Sequence, residues 1–221
     1  MADIGARRPL VGNSYEQRPR RYQTSGAFAA ARFARWPKWG SVGWVLLRCT
    51  TRLLELLGDP ATEARPASPE DWYANVFWVQ RRKCLLVTHA GTLFSVFAPA
   101  VQAADVRPLG AFVAPLITHQ LLAEGFPADA LGPLDPAQAT IARTADRQVL
   151  GCMNDVALAC QRAAADAGSL ARLDLQRLHQ RLQRNITSAR NYVPPVDLLA
   201  DRLQQRRRFN EDSSAHAEGE A

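Results

Sequence analysis

A chain of 221 residues with 47% hydrophobic and 22% charged side chains has a globular composition, long enough for one packed domain with appendages. The apolar run Trp44–Leu47 is far shorter than the ~20 residues that span a bilayer, and the N-terminus lacks the apolar core of a secretory signal. A cytoplasmic protein with no membrane span is expected, and four scattered cysteines, with no CxxC and no Cys/His pair at ligand spacing, point to buried thiols and no metal site.

The net charge of +6 is unevenly spread: residues 1–40 carry +6, 41–169 carry −2, 170–208 carry +6 and 209–221 carry −4. A near-neutral core is thus flanked by two basic segments and an acidic tail. Of the 27 basic residues only Lys38 and Lys83 are lysine. With the heavy alanine content this indicates a GC-rich genome, so the number of arginines is not itself a phosphate-binding signal. Lys83 stands out against that background.

The expected organisation is a basic, largely disordered arm over 1–40, an α+β core domain over 41–168, a basic helical extension over 169–208, and an acidic disordered tail over 209–221. Within the arm, Ala29, Phe33 and Trp36 at helical spacing suggest a short helix before Pro37. Trp44–Cys49 reads as a buried strand, followed by a helix from Thr50 or Thr51 that Gly58 stops. A Pro/Ala/acid loop over 59–71 leads to WYANVFWVQRRKCLLVTHAGTLFS, the stretch from Trp72 to Ser95.

Ala74–Val79 and Cys84–Thr88 are apolar enough to be central strands, and the hairpin they form centres a small, mostly antiparallel sheet. The connection QRRK holds no Gly, Asn, Asp or Pro, so a four-residue loop around a type I turn is expected. Thr92 is placed as the cap of a short helix, LFSVFAPAV. A helix over Pro108–Glu124 carries Pro115, which should kink or split it, and Ala139–Ala145 is a weak strand. Asp146 caps a helix to Asp166 whose inner face is Val149, Cys152 or Met153, Val156 and Cys160, with Gly151 allowing a close neighbour. One amphipathic helix is expected over Leu170–Ile186 and another from Pro194-Pro195 to Arg208.

Two groups of residues invite a functional reading. The first is a polar site made of Asn75, Arg81, Arg82, Lys83, Arg147, Asn154 and Asp155: the cations suit an oxyanion, and Asn154-Asp155 are polar on an otherwise apolar helix. The second is the face Arg177, Arg181, Arg184, which suits nucleic-acid phosphates. His89, with Thr88 and Thr92 beside it, is a weaker candidate base because no carboxylate stands near it in sequence. No P-loop, GxGxxG, GxSxG or HExxH occurs, so no cofactor is implied.

The blocks LLRCTTRLLELLG, WYANVFWVQRRKCLLVTHAGTLFS and RTADRQVLGCMND together resemble an uncharacterised family of small bacterial domains, over roughly residues 44–161. The family pattern reads W-H-A-N, D-R-R-K, T-N before T-L-F-S, and R-x-V-L-G-x-M-N-D. Trp72, Ala74, Asn75, Arg81, Arg82, Lys83, Thr88, Thr92, Leu93, Ser95, Arg147, Gly151, Met153, Asn154 and Asp155 match it, while Tyr73, Gln80 and His89 depart. The resemblance implies one compact domain and no particular activity. Taken together, the residues favour a non-enzymatic module that contacts nucleic acid or a protein partner through arginine-rich faces. The alternative is a small enzyme that binds a phosphate- or carboxylate-bearing substrate at Arg81–Lys83.

Overall fold

The computed structural model describes residues 46–58 and 65–219, with side chains through Arg208. The basic arm with its helix, Trp44, and residues 59–64 of the loop lie outside the described residues. Among the described residues five strands form one sheet: β1 Leu46–Cys49, β2 Trp72–Val79, β3 Arg82–His89, β4 Ser95–Ala98 and β5 Thr140–Arg143, in the order β4-β3-β2-β1-β5. β2, β3 and β4 are an antiparallel meander, and β1 runs parallel to both β2 and β5. The long ladder is antiparallel, from Trp72↔His89 to Val79↔Arg82, so the expected hairpin is the centre of the sheet. Five α-helices among the described residues complete the α+β domain: α1 Thr51–Leu57, α2 Leu109–Ala123, α3 Arg147–Asp166, α4 Leu175–Gln183 and α5 Pro195–Gly219.

Side chains of a strand alternate between faces, so β2 and β3 feed two separate cores. Trp72, Ala74, Val76, Leu85 and Val87 pack with Leu53 of α1, with Val113, Ile117 and Leu121 of α2, and with Leu199 of α5. Tyr73, Phe77, Val79, Cys84 and Leu86 pack on the other face with Val149, Met153, Val156 and Cys160 of α3 and with Leu178 and Leu182 of α4. Burying each large apolar side chain contributes about 1.5–3 kcal/mol, which makes the hairpin the best-anchored part of the sheet. The basic segment after residue 169 therefore supplies parts of both cores, and does not stand off as an appendage.

Local signals set the element ends. Gly58 takes a left-handed conformation (φ 68°) and closes α1 by donating its N–H to Leu54 O. The Asp146 carboxylate accepts from the amides of Gln148 and Val149 and starts α3, while Asp174 does the same for α4 through Arg177 N. That cap splits the stretch read as one helix over Leu170–Ile186 into a 3-10 turn at Leu170–Arg172 and α4 proper. α2 runs on through Pro115 as one helix, held by its buried face. α5 continues past Arg208 to Gly219 because no proline or glycine interrupts Phe209–Glu218.

Three further local expectations change. The segment after Thr92 is a strand: Ser95, Val96, Phe97 and Ala98 are all buried, and they pair with β3. Full burial on both faces erased the alternation that would have marked it. The hairpin turn has two residues, with Gln80 and Arg81 both at positive φ (46° and 65°), as a type I′ turn requires; the right-handed twist of the strands favours it over a looser type I loop. Gly151 faces open space, with nothing within 4 Å of a Cβ built on it, so it serves no close packing. Gly151→Ala should accordingly stabilise the domain by about 1 kcal/mol, read as a higher urea midpoint at unchanged slope.

Candidate cationic site at the hairpin end

The turn residues Gln80 and Arg81 pay for their left-handed backbone through neighbours. Gln80 donates from Nε2 to Ala164 O (3.3 Å), and its Oε1 accepts from Leu170 N (2.7 Å). Two residues earlier, Gln161 Nε2 donates to Trp78 O (3.0 Å). The end of α3 and the 3-10 turn thereby clamp the hairpin tip. Both halves of the Gln80 amide supply the clamp, one as donor and one as acceptor.

Fixed in this way, Arg81, Arg82 and Lys83 line a cleft of about 310 Å³ together with Trp78, Ala100, Val101, Gln102 and Ala103. Its lining contains three cations and no carboxylate. Arg81 and Arg82 are exposed and Lys83 is half-buried. Lys83 pairs across the strands with Trp78, and its Nζ stands 5.6 Å from the centre of the indole. The far wall is tied on by Val101 N, which donates to Lys83 O (2.8 Å).

The other members of the composite site do not join it. Arg147, Asn154 and Asp155 are exposed on α3, at spacings that place them away from the buried stripe Val149, Cys152, Met153, Val156 and Cys160. α3 also packs on the face of Phe77 and Leu86, whereas Lys83 alternates with Leu85 and Val87 toward the opposite face. Asn75 accepts from Thr50 Oγ1 (2.9 Å) and ties β2 to the start of α1. None of these groups lines the cleft.

The arginine face of α4 is partly spent on the fold. Arg177 and Arg181 are exposed, but Arg184 bonds Glu124 Oε2 (2.9 Å) and Gln180 O. The Gln80–Leu170 bond sets the turn carrying exposed Arg172 against the hairpin tip, and α4 departs from that turn. Two cationic groups far apart in sequence are thus joined through one side chain.

His89 is sealed at 0% exposure, edge-on to Trp72 with ring centres 5.1 Å apart. Thr92 N donates to its Nδ1 (3.3 Å), so the ring holds the β3–β4 turn and is closed to any substrate. Burial pushes its imidazole down to about 3, with the Arg202 charge acting in the same direction and Glu70 against it. Burial likewise lowers His179 to about 4, partly opposed by its bond to Phe97. Between the unfolded value of 6.5 and these folded values the unfolded chain binds more protons, so stability falls as pH falls. From pH 6.5 to 5 the two together should remove about 3–4 kcal/mol, at roughly 1.4 kcal/mol per pH unit each. Urea titrations at the two pH values check this, and equal midpoints would contradict the burial of both rings.

Several influential residues escaped the sequence reading. Trp78 was read only as part of an apolar strand, yet it is 49% exposed and lines the cleft. Arg48 and Asp71 form a buried ion pair, with Nε donating to Oδ2 at 2.5 Å. His179 and Gln183 of α4 bond the backbone of β4. Their i, i+4 spacing next to Leu178 and Leu182 is the one signal that marked an inward polar pair. All four cysteines are buried and free, and burial pushes the Cys49 and Cys160 thiols up to about 12. Among the described residues no helix is long and apolar enough to cross a membrane.

No curated protein matches the chain. The motif blocks that carry the resemblance fall within a match over residues 46–198, which also takes in α4 and the start of α5. On that match, over more than half of its length, the chain belongs to the family described as Domain of unknown function (DUF6933).

Proposed function

We propose that this chain is a non-enzymatic binding module for polyanions, nucleic acid foremost, and that the end of the β2–β3 hairpin is its principal contact. The reading rests on one observation: Arg81, Arg82 and Lys83 line a single cleft from which carboxylates are missing. Like charges gathered on one turn repel one another, and a bound anion offsets that repulsion more fully than mobile counterions do. Guanidinium forks take phosphate oxygens in pairs, and each neutralised phosphate releases condensed counterions. Exposed Arg172, on the turn that Gln80 holds, adds a cation near the tip. The enzyme alternative draws on the same cleft, but Asn75, Arg147, Asn154 and Asp155 do not face it, and neither a histidine nor a carboxylate lines it.

Arg81→Gly separates binding from folding. The turn needs positive φ at this position, which glycine adopts freely, so the variant should be about 1 kcal/mol more stable by urea unfolding. Its affinity for a labelled oligonucleotide, measured by fluorescence anisotropy, should nonetheless fall severalfold, and the salt dependence should flatten by about one phosphate contact. A stabilised variant that binds as tightly as wild type, or a wild type that binds no nucleic acid at low salt, overturns the proposal.

A further inference from the structure

We infer that the indole of Trp78 is a platform for an unpaired nucleobase, so that the cleft selects single-stranded over duplex nucleic acid. This deepens the polyanion reading above and rests on it. The sheet face that carries Trp78 is covered as far as Val76, which is 4% exposed, and the cover stops there: Trp78, two residues on, is 49% exposed. A large aromatic left open beside Arg81, Arg82 and Lys83 supplies what a charge cluster lacks, a flat apolar surface. Across the cleft, the segment Ala100–Ala103 forms the opposite wall, with exposed Gln102 offering an amide to a base edge. The cleft, about 310 Å³, is open to solvent rather than enclosed, so a base on a flexible strand can enter it.

Lys83 already stands over the indole, so a base must compete with its ammonium. An exposed cation–π contact is worth about two- to fivefold in an equilibrium, whereas base stacking on an aromatic is worth about five- to a hundredfold. The base therefore prevails, and the displaced ammonium is free to pair with a phosphate of the same strand. A duplex keeps its bases in the stack and presents phosphates only. Trp78 consequently contributes to single strands and not to duplexes.

The test compares an oligothymidylate of about 12 nucleotides, a duplex of the same length and polyglutamate by anisotropy at one salt concentration. Wild type should prefer the single strand by at least about fivefold. Trp78→Leu should abolish that preference and leave duplex affinity within about twofold, while Trp78→Phe should keep most of it; thermal melts establish that both variants are folded. If Trp78→Leu weakens both polymers equally, or neither, or if wild type shows no preference, base stacking is wrong while the polyanion reading stands. If wild type binds neither nucleic acid, both fall together. Tighter binding of polyglutamate than of either nucleic acid, unaffected by Trp78→Leu, replaces them with an acidic protein partner.

Discussion

Replacing His179 and Gln183 together by alanine should cost the domain about 3–5 kcal/mol and make it self-associate. β4 is one of the two outer strands of the sheet, and an outer strand carries a row of unpaired amides and carbonyls. Here the side chains of α4 answer them. Gln183, at 0% exposure, accepts from Ser95 N at Oε1 (3.2 Å) and donates from Nε2 to Ser95 O (2.5 Å), which reproduces the two bonds of a neighbouring peptide. His179 Nε2 lies 3.0 Å from Phe97 N and 3.1 Å from Phe97 O, and the tautomer decides which of the two it serves. Removing these partners leaves buried backbone groups unsatisfied at about 1–3 kcal/mol each, and it uncovers an edge that a second chain can extend. Gln183→Leu keeps the volume while losing both bonds, so it isolates the hydrogen-bonding share. Urea unfolding and sedimentation report the two effects. A double variant that unfolds within about 1 kcal/mol of wild type, with unchanged mass, would show that α4 does not protect the edge.

The second large effect is expected at Arg48. Its guanidinium donates to Asp71 Oδ2, to Arg143 O (3.1 Å), to Arg65 O (2.9 Å) and to Pro66 O (2.7 Å), joining β1, β5 and the segment before β2. Asp71 also accepts from Ser68 N (2.8 Å) at the same oxygen. At 2% and 4% exposure neither partner can fall back on water. Arg48→Met should therefore lose about 3–5 kcal/mol, because it strands a buried carboxylate and three carbonyls. Arg48→Lys should recover little of this, since one ammonium cannot reach four acceptors in a fixed plane. The double variant Arg48→Met/Asp71→Leu should be distinctly less damaged than the sum of its parts, because the worst term is the unpaired charge rather than the missing pair. Strict additivity in urea unfolding would mean that the two side chains are not coupled.

These two devices show where sequence reading reaches its limit. α1 and α3 were legible because their end signals are local: Gly58 stops one, and Asp146 opens the other. The hairpin was legible because apolar runs flank a short polar connection. β4 was mistaken for a helix because all four of its residues are buried, so no period remained to read. The polar site was over-assembled for a related reason. Asn154 and Asp155 look conspicuous in a line of apolar letters, but a turn of 3.6 residues sends them to solvent. Lys83 and Asp155 face opposite sides of a sheet that the sequence does not display.

By itself the sequence determined the element types with local punctuation, the hairpin at the centre of the sheet, the uneven charge, and the cluster Arg81-Arg82-Lys83 at one end of that hairpin. Caps, glycines and apolar runs act within a few residues, so their physics is written along the chain. Only the tertiary structure decided which strand is the edge, that His179 and Gln183 cover it, that Arg48 meets Asp71, and that Trp78 is left open beside three cations. Each of these depends on which surfaces end up without neighbours, and that is settled by long-range packing.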